Sequence, residues 1–149
     1  MPVTLRQLQA YTESRLPPLV QRLQRPRAFG RAAELAFLRW EKRRMQPTER
    51  FWRDFGMHIV SSSPERVVAR GTGTAPCIAI AVQGSTDRFI GPAFRMSDDT
   101  ELERYVKELR ARSLAPESIP GGGRGVELVD PSGRSVWLLQ GSRSAERRR

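Results

Sequence analysis

Residues 45–82, MQPTERFWRDFGMHIVSSSPERVVARGTGTAPCIAIAV, decide the fold. Phe51, Trp52 and Phe55 stand at helical spacing after Pro47, which suits a first helical turn, and Gly56 stands where a left-handed C-terminal cap belongs. Three strand-like runs follow directly: His58-Ile59-Val60, Arg66 to Arg70 and Cys77 to Val82, separated by Ser-Ser-Ser-Pro and Gly-Thr-Gly-Thr turns. One helix followed by three strands in succession argues against a doubly wound parallel sheet, in which strands alternate with helices.

Upstream, Leu35 to Trp40 reads as a short apolar strand ended by Glu41-Lys42-Arg43-Arg44. Downstream the order repeats. Phe89 to Met96 reads as a strand, and Ser97-Asp98-Asp99 with Glu101 announces a capped helix. Leu102, Tyr105, Val106 and Leu109 form a core-facing stripe, and strands 125–129 and 135–139 make a hairpin about Asp130-Pro131-Ser132-Gly133. The expected fold class is α+β. Two βαβββ modules, 34–84 and 88–141, pair into a curved, mostly antiparallel sheet with helices outside and a concave face inside, the usual place for a small-molecule site.

The ends differ from this middle. Among 149 residues the net charge is +10, of which residues 1–44 carry +7 and residues 142–149 carry +3, while 45–141 hold twelve basic and twelve acidic side chains. Residues 1–33 read as a basic helical arm in which Leu5, Leu8, Thr12, Leu16, Leu19, Val20 and Leu23 keep helical spacing around Pro17-Pro18. A partner-binding helix or a transit-like leader are alternatives to an arm packed on its own domain. The tail 142–149 reads as disordered.

Composition excludes several chemistries. Cys77 is the single cysteine and His58 the single histidine, so no intramolecular disulfide and no zinc site of several thiolates can form. No run reaches the ~18 apolar residues of a membrane span, and a cytoplasmic protein is expected. Gly121-Gly122-Gly123-Arg124-Gly125 lacks the Lys-Ser/Thr ending and following helix of a phosphate loop and reads as a connection into a strand. Cys77 begins an apolar run and reads as an inert thiol, His58 as a half-exposed strand residue, and Asp98 and Asp99 as helix-start residues. No basic-aromatic interleaving occurs inside the fold, which argues against nucleic acid as the partner.

The phrases Phe51-Trp52-Arg53-Asp54-Phe55-Gly56-Met57 and Val126-Glu127-Leu128-Val129-Asp130-Pro131-Ser132-Gly133 resemble the helix ending and terminal hairpin of the vicinal oxygen chelate superfamily, which includes glyoxalases, bleomycin-resistance proteins and extradiol dioxygenases. Arg70-Gly71-Thr72-Gly73 and Arg88 to Phe94 resemble the non-catalytic N-terminal half of two-domain extradiol dioxygenases. The resemblance runs from about Glu34 to Gly141. It implies a divalent metal held by two imidazoles and a carboxylate on the concave face. The matched positions here carry Phe37, Gly91 and Trp137, none of which ligates iron, and His58 is not at a matched position.

Because strand side chains alternate, Phe37, Arg39 and Glu41 share one face, as do Gly91, Ala93 and Arg95, and Ser135, Trp137 and Leu139. With the ligand face concave, Phe37 and Trp137 line or fill a cavity in which Arg39 and Arg95 meet a small aromatic or anionic ligand. The alternative is a collapsed pocket with Arg39 paired to Glu41 or another acid. The resemblance therefore implies a degenerate, metal-free domain with no catalytic residues and no cofactor of its own, structural or ligand-binding in role. Its expected partner is a second copy or a catalytic companion domain. Two rival readings are a dioxygenase component whose Fe(II) ligands come from a companion chain, and a binding module for an acidic partner through the basic arm.

Overall fold

The computed structural model describes residues 29–142. The expected helical arm lies outside them up to residue 28, as does the tail from residue 143. Strand β1 spans Ala32–Lys42, so it begins inside the stretch assigned to the arm. The first module continues with α1 (Met45–Asp54), β2 (His58–Ser62), β3 (Arg66–Arg70) and β4 (Ala79–Gln83). The second has β5 (Arg88–Met96), α2 (Leu102–Leu109), β6 (Arg112–Ser113), a 3-10 turn at Pro116–Ser118, β7 (Arg124–Val129) and β8 (Ser135–Gln140). Among the described residues no helix is long and apolar enough to cross a membrane.

The eight strands form one sheet in the order β2-β3-β4-β1-β5-β8-β7-β6. β1 and β5, the first strands of the two modules, pair antiparallel at its centre, and each runs parallel to the last strand of its own module. The remaining pairs are antiparallel. The α+β expectation of two repeated modules is therefore met, with β6 as the strand the sequence did not disclose. Two residues are too few for a periodicity to register.

Alternation along each strand sorts the side chains into an inner and an outer layer. On the outside, Met45 and Trp52 of α1 pack on Val67, Ala69, Ala79 and Ala81, where three alanines let the helix come close. Leu102 of α2 packs with Met96, Ala111, Val126 and Leu138. On the inside, Phe37, Val68, Ile80, Ala93 and Leu139 come together with Cys77 and with Ile119, which the loop after β6 brings over the concave face. Each such fully buried aliphatic side chain contributes about 1.5–3 kcal/mol relative to exposure.

The end of α1 is the one anticipated. Gly56 takes φ +89°, its N–H bonds Arg53 O at 3.0 Å, and Met57 N–H reaches back to Trp52 O at 2.9 Å, a Schellman arrangement. The start of α2 is not. Glu101 occupies the N-cap without a side-chain capping bond, because Ser97 to Thr100 closes a turn of its own and its carbonyls are drawn to Gln140. Gln140 Nε2 donates to Asp98 O at 3.0 Å and Thr100 O at 3.1 Å. The α2 stripe is also narrower than expected: Leu102 is buried, whereas Val106 and Leu109 are 38% and 53% exposed. The sheet edge there is the two-residue β6, which offers the second half of α2 little surface to cover.

Candidate functional site on the concave face

The register across β1, β5 and β8 builds the site. Arg39 lies opposite Gly91, Phe37 opposite Ala93, and Ala93 opposite Trp137, so the alternate residues of three adjacent strands face one another across the concavity. Phe37 meets Trp137 edge-on with centroids 6.1 Å apart, and the Arg39 guanidinium sits 4.2 Å from the Trp137 ring centroid. Phe37, Arg39 and Trp137 thus come together. Arg95, the fourth expected residue, does not join them; it stands beside Leu139, bonded to Glu34 and, through Nε at 3.2 Å, to Ser142 Oγ.

Arg39 is 5% exposed and spends its charge within the fold. Its Nη2 donates to Ser135 O at 2.8 Å and Ser135 Oγ at 2.9 Å, and its Nη1 stands 3.8 Å from Glu127 Oε1. Burial brings its pKa down to about 10, against the pull of Glu127, so it remains a cation at neutral pH. Its Nε has no hydrogen-bond partner among the described residues. Glu41 is not its counter-ion: that carboxylate accepts from Thr86 N–H at 3.1 Å and Arg88 Nε at 2.7 Å, tying β1 to the turn before β5.

Glu127 is the hub on β7. Its Oε1 accepts from Ser135 Oγ and from Trp137 Nε1 at 3.3 Å, and its Oε2 from Arg112 Nε at 2.9 Å. Burial pushes this carboxyl upward, but the hydrogen bonds from Ser135, Arg112 and Trp137 outweigh it and hold the pKa below the usual value. A cation, an indole and a carboxylate are therefore engaged with one another, the Arg39 Nε excepted, where a bound ligand would need them free.

The same geometry tests a metal. The three positions that the resemblance makes ligands carry Phe37, Gly91 and Trp137, and Gly91 has no room for any side chain: a Cβ there would lie 1.7 Å from Ser135 O. Glu127, the acid that meets Arg39 on this face, is already engaged by Arg39 and Arg112. Among the described residues no three His, Cys, Asp or Glu side chains gather where an ion could be held. The residues do not fit a divalent metal.

A second feature escaped the sequence reading. Beside the plugged centre, a pocket of about 270 Å³ opens between β3 and the loop carrying Ile119, lined by Ser61, Arg66, Val68, Arg70 and Glu117 among others. Arg66 Nη2 donates to Ser118 O at 2.9 Å and so holds that loop. The signal was present in Arg66-Val67-Val68-Ala69-Arg70, whose alternate residues place two arginines on the inner face. Cys77 is buried in the inner cluster, its Sγ 3.5 Å from Ala79 O, and burial pushes the thiol up to about 12. His58 is half-buried on the edge strand β2, opposite Arg70 of β3.

Solved structures share this architecture. A Mn(II)-bound glyoxalase from Novosphingobium aromaticivorans superposes with a TM-score of 0.69 at 16% identity, over 80% of this chain and 42% of that one. A variant of homoprotocatechuate 2,3-dioxygenase from Brevibacterium fuscum matches with a TM-score of 0.66 at 18% identity, over 79% of this chain and 35% of that one. An extradiol ring-cleaving dioxygenase from the same organism gives the same coverage and identity. The chain spans less than half the length of each of these neighbours. No family profile matches the sequence. No curated protein is detectably similar to it in sequence. The fold is the vicinal oxygen chelate fold of glyoxalases and extradiol dioxygenases.

Proposed function

We propose, on the premise of a vicinal oxygen chelate fold, that this chain is a degenerate, metal-free module that acts as a structural or small-molecule-binding domain rather than as a catalyst. The observation that carries this reading is the Arg39 guanidinium held between Ser135, Glu127 and the Trp137 ring. A fixed protein cation there supplies the charge that a metal would otherwise bring, and it offers no open coordination position for substrate or oxygen. Phe37 and Trp137 add bulk on the same face, in keeping with a cup converted into core. Where a small anion is bound, the pocket beside Arg66 is the better-suited place, because Arg39 is enclosed and Arg95 is paired with Glu34. The reading includes a cytoplasmic location, a compartment in which a lone thiol such as Cys77 stays reduced.

The test is metal content and catechol turnover on one sample, after anaerobic loading with Fe(II) and, separately, Mn(II). The expected result is substoichiometric metal and no ring cleavage. Stoichiometric metal with turnover would overturn the proposal.

A second reading is favoured by one fact, the coverage of 42% and 35% of the neighbours' lengths. On that reading the chain is one wall of a larger enzyme whose metal ligands belong to a companion domain, or it pairs with a second copy of itself. Light scattering on the purified chain, alone and with candidate companions added, separates the two: a catalytic companion restores turnover, whereas a second copy changes mass only.

A further inference from the structure

The arginines of the inner face differ in what they meet. Arg39 is held by Glu127 and Arg95 by Glu34. Arg66, the first residue of β3, shares the inner face with Val68, a member of the inner cluster. Its Nη2 donates to Ser118 O at 2.9 Å, and the rest of its guanidinium meets no acceptor among the described residues. No carboxylate among them lies within ion-pair distance of it. A half-buried cation is thus fixed by one carbonyl and paired with no described acid.

That cation lines the pocket of about 270 Å³ between β3 and the loop through Ile119, together with Arg70 of the same face. Val60 and Val68 from the strands and Ile119 and Pro120 from the loop give the pocket apolar walls. The loop wall is already ordered. Ile119 is 4% exposed in the inner cluster, its carbonyl accepts the Gly122 N–H at 2.9 Å, and Ser118 Oγ donates to Ala115 O at 2.7 Å. A preformed wall spares a ligand the entropy of ordering it. Glu117, an exposed acid of the rim, is the group here that opposes an anion.

We propose that this pocket binds a small organic monoanion, a single ring or short chain bearing one carboxylate, with the carboxylate on Arg66 and the apolar body against Val68 and Ile119. The unpaired charge of Arg66 selects an anion. The aliphatic walls select an apolar body over a bare inorganic ion, and a volume just under the range of drug-sized ligands limits that body to about one ring. The site is built on β3 and the loop through Ile119, not on the β1, β5 and β8 positions where relatives of this fold would place a metal. The proposal rests on the reading of the chain as a metal-free binding module and names what that module takes.

Amide NMR titration of the intact chain with benzoate, with EDTA present, tests this. Shifts should centre on residues 60–61, 66–70 and 117–121 and saturate with a Kd of about 1 mM or tighter. R66M should weaken binding about tenfold or more, because a hydrogen bond to a charged group is lost. Benzamide, of similar shape without the charge, should also bind about tenfold or more weakly. E117Q should tighten binding about twofold, a gain that no misfolded variant would give. R50Q, which removes an equal charge from α1, should leave Kd unchanged within about twofold. The absence of saturable shifts in the wild type overturns the proposal, as do shifts centred on α1 or an affinity that R66M leaves intact. Benzamide or inorganic phosphate binding as tightly as benzoate overturns it too, the first because charge is then not read and the second because the apolar body is not. Binding that appears only when EDTA is replaced by Fe(II) overturns it together with the metal-free reading, whereas silence toward benzoate without metal uptake overturns the pocket alone.

Discussion

The Arg39 guanidinium lies 4.2 Å from the Trp137 centroid and 3.8 Å, through Nη1, from the Glu127 carboxylate, whose other bonds include the Trp137 indole N–H. One cation thus rests on the ring whose N–H it shares an acceptor with. Removing it leaves Glu127 with Arg112 as its remaining charge partner, so R39M should cost about 2 kcal/mol, less than the loss of a wholly enclosed pair. Urea denaturation of R39M, E127Q and the double variant measures it. The double variant should lose about 1 kcal/mol less than the two single costs together. Full additivity would mean that Arg39 is held by Ser135 and Trp137 alone.

Glu127 also sets a pH dependence with a definite sign. Its pKa in the fold lies below the ordinary 4.5, so the unfolded chain takes up its proton first as acid is added. The stabilisation it contributes is whole above the ordinary value and is lost as the pH falls through the lowered one. The stability difference between wild type and E127Q should therefore be greatest near pH 7 and shrink below about pH 4. Exposed carboxylates such as Asp130 and Asp87 are lowered as well, Asp130 by hydrogen bonds it accepts from Ser132 and Arg134 in its own turn and Asp87 by the one it accepts from the Arg43 N–H, and both are common to the two proteins. The comparison isolates Glu127; a difference that stays constant to pH 3 would show that its charge is not what Arg39 needs.

How much of this was legible follows from the range of each interaction. The face shared by Phe37, Arg39 and Glu41, and its counterparts through Arg95 and Trp137, follows from a period of two and needs no tertiary knowledge. The Gly56 cap is equally local. The sequence offered Arg39 the acid Glu41, its neighbour on the same face, or another unnamed, and Glu41 is taken by Thr86 and Arg88. Its actual partner depends on the register Glu127 opposite Trp137 between β7 and β8, which no local pattern encodes. The α2 stripe misled for a related reason: the spacing of Val106 and Leu109 marks an apolar face, but whether a sheet lies beneath it is decided by the length of β6. Arg95 shared a face with Ala93 as expected, yet its place beside Leu139 puts it at another level of the concavity.

Cys77 should be chemically silent in the native protein. Its thiol is 1% exposed and burial pushes its pKa up to about 12, leaving about one molecule in ten thousand as thiolate at pH 8. Alkylation by iodoacetamide should then proceed through unfolding. Its rate should rise with urea in step with the unfolded fraction, and L139A, which opens the same inner cluster, should speed it at fixed urea. Labelling at the rate of a free thiol in native buffer would contradict the packing described here.

Gly91 carries the sharpest steric prediction. A Cβ at this position would lie 1.7 Å from Ser135 O and 2.9 Å from Ser135 C, both backbone, so G91A can be accommodated only by moving β8 away from β5. That movement also carries off the carbonyl that Arg39 Nη2 reaches at 2.8 Å. A cost of about 3 kcal/mol or more is expected, with a lowered unfolding midpoint in urea. Gly73, around which nothing lies within 4 Å, is the control: G73A should change stability by less than about 1 kcal/mol. The consequence reaches the site's chemistry. Introducing histidine at position 37 and glutamate at position 137 supplies two of the three donors, but the third would have to come from the position that β8 closes. F37H/W137E should therefore still fail to hold Fe(II) at stoichiometry. Were G91A as stable as G73A, the close approach of β8 would be wrong, and a three-ligand site could be rebuilt on this face.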